Sequence, residues 1–146
     1  MSDFRRLTDQ VWASPQITLD DVAEARERGF AMIVNNRPDG EVEDQPEGDA
    51  IEAAARAAGL DYRAIPVGHA GFSGPQVDAM AEALAAADGK VLAYCRSGTR
   101  STLLWALARA QQGEDTDTIA RAAAEAGYDI APVRQAIMAL SARAGE

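Results

Sequence analysis

The sequence predicts an α/β fold with a parallel or mixed central sheet flanked by helices. Three observations carry this. Short, nearly continuous apolar runs recur at residues 30–35, 60–67 and 90–94, as expected of strands covered on both faces. Stretches of helix length lie between and after them, so strand and helix alternate. Each run exits into turn-forming residues: Asn36-Arg37-Pro38-Asp39-Gly40, Gly68-His69-Ala70-Gly71 and Cys95-Arg96-Ser97-Gly98.

Taken in order, residues 5–16 read as short extended segments broken at Ser14-Pro15. Thr18 is placed to cap a helix that ends near Gly29, ahead of the strand at 30–35. Residues 41–49, containing Glu41 and Asp44, form an acidic stretch read as a solvated surface loop. An alanine-rich helix over residues 49–58 stops at Gly59, and residues 60–67 give the next strand. Pro75 suits the first turn of a helix over residues 76–87, whose Val77, Met80, Ala81 and Leu84 form one stripe. After the strand at 90–94, the helix over residues 102–110 carries Leu103, Leu104, Trp105 and Leu107 for packing against the sheet. Two closing helices, 117–126 and 132–144, are separated by Gly127-Tyr128-Asp129.

A length of 146 residues fits one domain, 1–146, able to bury a core without disulfides or metals. The net charge of -9 argues against a nucleic-acid partner, because binding a polyanion relies on clustered Lys and Arg. No stretch approaches the roughly 18 uninterrupted apolar residues of a spanning helix, and no leader-like apolar run follows the first charges, so no membrane partner and a cytoplasmic location are expected. One cysteine and one histidine are too few for an ordinary zinc site, so neither a metal nor a cofactor is expected. With no second cysteine to resolve an oxidised or sulfur-bearing Cys95, any acceptor thiol must come from outside the chain.

Chemistry concentrates in Cys95-Arg96-Ser97-Gly98-Thr99-Arg100-Ser101, a loop between a strand and a helix start. A thiol at a helix N-terminus beside two arginines feels a positive potential that favours the thiolate, the nucleophilic form. The same inward amides could cradle an anion. Asn35-Asn36-Arg37, Gly68-His69 and Cys95-Arg96 all follow strands, so they are placed to converge on one rim.

The runs NNRPDGE at 35–41, DQP at 44–46, YRAIPV at 62–67 and VLAYCRSGTRS at 91–101 resemble the small bacterial phosphatase-like family called beta-lactamase-hydrolase-like, or DUF442. The resemblance covers nearly the whole chain. It implies the fold of cysteine-dependent dual-specificity phosphatases. Some members are fused to metallo-beta-lactamase-type sulfur dioxygenases, which makes a separate dioxygenase a partner that the resemblance suggests. The CRSGTRS run also looks like the active loop of rhodaneses, which carry sulfur as a cysteine persulfide.

Spacing separates two chemistries. Four residues lie between Cys95 and Arg100, whereas the phosphatases that the family resembles use five. A shorter ring of amides is expected to suit a sulfur-sized group better than a phosphoryl group. Those phosphatases also carry an aspartic acid that protonates the leaving oxygen. No carboxylate lies between Asp61 and Asp78 here, which leaves His69 as the substitute acid or as an ordinary solvent-facing histidine.

The expected activity is therefore that of a rhodanese-like sulfurtransferase. Cys95 would take sulfane sulfur from a small anionic donor, such as thiosulfate or a persulfide, and pass it to an external thiol. The alternatives are a cysteine-dependent phosphatase acting on a phosphoester through a phosphocysteine, and a non-catalytic thiol sensor. Cys95 is the nucleophile, and Arg100 folds back to hold the anion with its planar fork. The amides of Arg96, Ser97, Gly98 and Thr99 line the nest, and Arg96 either draws the anion in or is merely solvated. Ser101 either caps the helix or donates to the Cys95 sulfur. Asn36 and Arg37 either buttress the loop or form a turn with a surface arginine.

Overall fold

The structure is a computed structural model that describes residues 2–68 and 70–144. Its strands are β1 (Arg5–Arg6), β2 (Val11–Ser14), β3 (Phe30–Asn35), β4 (Asp61–Ala64) and β5 (Lys90–Tyr94). They form one sheet in the order β1-β2-β5-β3-β4. The two-residue β1 pairs antiparallel with β2, and every other pairing is parallel. The sheet is therefore mixed, and β5, which leads into the cysteine, lies at its centre. Among the described residues six α-helices accompany it: α1 (Leu19–Glu27), α2 (Gly48–Ala57), α3 (Gly74–Ala86), α4 (Thr99–Gln111), α5 (Thr116–Glu125) and α6 (Arg134–Ala144).

Alternation along the strands assigns the two faces. Val91 and Ala93 of β5 point into one core with Met32 and Val34 of β3, covered by α3, α4, α5 and α6. Leu92 and Tyr94 point to the other, with Ile33, and meet Val22 and Ala25 of α1 and Ile51 and Ala55 of α2. Helix α4 is buried nearly all round, from Ser101 to Ala108 and again at Ala110, because it lies between the sheet and the outer helices. Trp105 is 1% exposed and packs its ring in this core, with its indole N–H left without a partner among the described residues.

Local chemistry explains the boundaries. Thr18 and Asp21 form a capping box at the start of α1, with Thr18 N–H donating to Asp21 at 2.9 Å and Asp21 N–H to Thr18 Oγ1 at 3.1 Å. Helix α3 starts at Gly74, two residues earlier than expected, because Pro75 fits its first turn and the Gln76 side chain accepts from Ser73 N–H at 2.8 Å. Strand β4 is shorter than the apolar run at 60–67, yet the chain stays beside β3: Ile65 N–H donates to Asn35 O and Val67 N–H to Asn36 O, both at 2.9 Å. Helix α4 begins inside the motif, at Thr99, so Arg100 and Ser101 belong to its first turn. Pro132 sits in a 3-10 turn, Ala131–Val133, and the last helix starts after it. Among the described residues no helix is long and apolar enough to cross a membrane.

Candidate active site

Four chain segments meet at the carboxyl end of the sheet. Asn36, just past β3, donates its N–H to Tyr94 O at 2.9 Å, and Cys95 N–H reaches Ser14 O, at the end of β2, at 3.3 Å. The fourth is the stretch from Ile65 to Val67 that continues β4. The turns after β3 and β5 thus share one rim with Gly68, as their positions in the sequence led us to expect; His69 lies outside the described residues.

In the loop from Cys95 to Thr99, the Gly98 amide is the one placed on the sulfur; the Thr99 amide, expected to line the nest, turns to Ser97 Oγ. Gly98 has φ +92, a left-handed conformation that costs other residues about 1–2 kcal/mol. This turns its N–H onto Cys95 Sγ at 3.1 Å. The Gly98 carbonyl then accepts the Thr102 hydroxyl at 2.9 Å. Ser97 Oγ donates to Thr99 Oγ1 at 3.0 Å and accepts from Thr99 N–H at 3.3 Å, which closes the rim. Arg96 and Ser97 are exposed, in keeping with a rim position for Arg96.

Ser101 corrects an expectation. Its hydroxyl neither caps α4 nor reaches the sulfur; it donates to Asn36 Oδ1 at 2.7 Å. Asn36 Nδ2 in turn donates to Ile65 O at 2.9 Å. Both side chains are fully buried, so this chain of bonds ties α4 to β3 and to the stretch after β4. Asn36 is therefore a buttress beneath the loop.

Arg100, Glu41 and Arg37 form the second correction. Glu41 is not a solvated member of an acidic loop: its side chain is 16% exposed and sits between two guanidinium groups. Arg100 Nη1 donates to Glu41 Oε2 at 2.7 Å and Nη2 to Oε1 at 2.8 Å, while Nη1 also donates to Val67 O at 2.6 Å. Arg37 Nε donates to Glu41 Oε1 at 2.9 Å and its Nη1 to Gln16 Oε1 at 3.0 Å. Arg37 is thus a buried brace, not a surface arginine on a turn. The Arg100 pair, helped by Arg37, holds the Glu41 carboxyl down at about 2, against the opposing effect of burial. Glu41 in turn raises Arg100, and the neighbouring Cys95 sulfur adds to that rise. Asp44, also expected to be solvated, is exposed.

A cavity of 260 Å³ opens at this mouth, bounded by Glu41, Gly68, Arg96 and Arg100. Cys95 itself has no exposed surface in this arrangement. A larger cavity of 690 Å³ lies between α3, α4 and α6 and contains none of the motif residues. Sequence reasoning missed Glu41, Gln16 and Tyr128 as parts of this site. Tyr128 follows α5 and donates its hydroxyl to Ser97 O at 3.0 Å. Nothing local marks it, because it stands 31 residues from its acceptor.

Residues 3–113 match the family of the beta-lactamase hydrolase-like protein, phosphatase-like domain. The chain belongs to that family. A beta-lactamase hydrolase-like protein of Xylella fastidiosa is 38% identical over 107 residues, 73% of this chain. The chain spans only 25% of that relative's length. Among solved structures, a candidate phosphatase from Neisseria meningitidis aligns with a TM-score of 0.83 and 32% identity, covering 94% of this chain and 98% of that one. TpbA of P. aeruginosa, solved in complex with pTyr, aligns at 0.67 with 18% identity over 99% of this chain and 91% of its own, a likeness of fold. The sheet with its helices is thus the fold of the cysteine-dependent phosphatases, as the sequence led us to expect. The family points to an enzyme of phosphatase type; none of these relatives points to sulfur transfer.

Proposed function

We propose that this protein is a cysteine-dependent phosphatase that hydrolyses phosphoric monoesters. The observation that carries the reading is the Gly98 amide on Cys95 Sγ at 3.1 Å with Arg100 in the first turn of the same helix, inside a chain of this family. Cys95, as thiolate, attacks phosphorus; the P–O bond to the leaving group breaks and a phosphocysteine forms. Water then attacks the phosphorus, the S–P bond breaks, and inorganic phosphate leaves with the thiolate restored. The loop amides and Arg100 stabilise the charge on the equatorial oxygens as it redistributes. Glu41, held ionised by two arginines, has no proton to give the leaving oxygen. Leaving groups that are stable as anions, such as phenolates, do not need a proton from Glu41, and the pTyr bound by TpbA is of that chemical type.

Sulfur transfer through a Cys95 persulfide stands as a second reading on one observation, the four-residue spacing between Cys95 and Arg100. One experiment decides between the two. Intact mass after a rapid quench with an aryl phosphate should show one added phosphoryl group on Cys95. A single added sulfur with thiosulfate, removed by cyanide, together with no phosphoryl adduct and no phosphate release, would overturn the phosphatase reading.

A further inference from the structure

An arginine has five N–H donors in one plane, and three of those on Arg100 are already committed. Nη1 spends both, on Glu41 Oε2 and Val67 O, and Nη2 spends one on Glu41 Oε1. Neither Nε–H nor the second Nη2–H has an oxygen or nitrogen acceptor among the described residues, and the Cys95 sulfur is the further hydrogen-bonding partner beside Arg100. These two donors lie parallel along one edge of the guanidinium, the geometry that fits two oxygens of a tetrahedral oxyanion. Glu41 therefore occupies one edge of the fork and leaves the other for a ligand. Its own orientation is over-determined: Arg37, 4% exposed, grips Oε1, Gln16 grips Arg37, and the Glu41 N–H donates to Gln45 Oε1 at 3.1 Å.

From this donor count we infer that Glu41 is a positioning residue: braced by Arg37, it sets the plane of Arg100 so that the Nε–Nη2 edge faces the transferring group. The inference rests on the phosphatase reading above. Charge gives it a signature. Removing the Glu41 carboxylate takes away a negative charge beside an anion site, so the change does not by itself weaken attraction of the substrate. What it removes is the orientation that matters most when charge moves in the transition state. The loss should fall on kcat and leave KM level or lower.

The test uses the intact protein, with p-nitrophenyl phosphate as substrate and active sites counted by alkylation of Cys95. Glu41→Gln should lower kcat per titrated thiol at least tenfold without raising KM. In an Arg100→Ala background the same change should cost less than twofold, because the group it positions is gone. Glu41→Asp, which keeps the charge but shortens the reach, should fall between wild type and Glu41→Gln, and serves if the glutamine variant folds poorly. Nitrogen-15 NMR gives a readout free of turnover: the Nη–H signals of Arg100 should be resolved in the wild type, where the pair hinders rotation, and should collapse in Glu41→Gln. An equal loss in both backgrounds, an unchanged kcat, or unresolved Arg100 signals in the wild type would overturn the inference. A wild type that shows the resolved signals but forms no phosphocysteine and releases no phosphate would instead overturn the phosphatase reading.

Discussion

Tyr128 stands directly over Gly98, with its Cζ 2.8 Å from the point where a Cβ at position 98 would lie and its hydroxyl overlapping that point. A Cβ there would also come within 3.3 Å of the Ser14 carbonyl carbon. Gly98 is therefore required twice: by its φ of +92 and by the ring above it. The two requirements separate experimentally. Gly98→Ala should lose at least about 2 kcal/mol in denaturant unfolding, with turnover falling alongside. Tyr128→Ala clears the space without changing the backbone. The double variant should thus remain about 1 kcal/mol or more below Tyr128→Ala alone, and a double variant as stable as Tyr128→Ala would show that the backbone conformation carries no strain.

Cys95 is fully buried, and its sulfur accepts from Gly98 N–H. Serine can accept the same bond, so Cys95→Ser should keep the fold. Its hydroxyl is not ionised near neutral pH, and turnover of an aryl phosphate should drop on the order of a thousandfold or more. Parallel measurements of unfolding and phosphate release check both halves, and retained turnover would remove Cys95 from the mechanism.

Ser101 and Asn36 are joined by a buried 2.7 Å hydrogen bond. Ser101→Ala leaves Asn36 Oδ1 buried without that donor, which should cost about 1–3 kcal/mol. Because Asn36 also bonds Ile65 O, Asn36→Ala should cost more than Ser101→Ala. Equal stability of Ser101→Ala and wild type would mean that this tie between α4 and β3 contributes nothing.

The β3 and β5 strands and the position of Cys95 between β5 and α4 were legible because they are local patterns: apolar runs of strand length, then residues that turn the chain. The contacts of Ser101 and Arg100 were not. Both residues were assigned to the nearest group, the helix end or the bound anion, whereas their partners Asn36 and Glu41 stand 65 and 59 residues away. Glu41 was the harder of the two. In an acidic stretch every carboxylate looks alike, and only the fold shows that this one lies between two guanidinium groups while Asp44 faces solvent. The spacing of Cys95 and Arg100 was read as decisive for sulfur chemistry; a loop one residue shorter nonetheless sits in the phosphatase fold, where Gly98 still turns its amide onto the sulfur.

Acid should expose the Glu41 pair directly. Its carboxyl falls from an ordinary 4.5 to about 2 in the folded protein, chiefly through Arg100. A group whose folded value is depressed binds protons more readily when the chain is unfolded, so its contribution is complete above about 4.5 and disappears as pH falls through about 2. The size of the shift corresponds to about 3 kcal/mol at pH 7, with about half of that left at pH 3. The stability difference between wild type and Glu41→Gln, measured in denaturant, should shrink accordingly over that interval. The Gln variant cannot ionise, so its own carboxylate-linked loss is absent and other titrating groups cancel in the difference. A gap that stays constant from pH 7 to pH 3 would show that Glu41 is not held by Arg100 and Arg37 in solution.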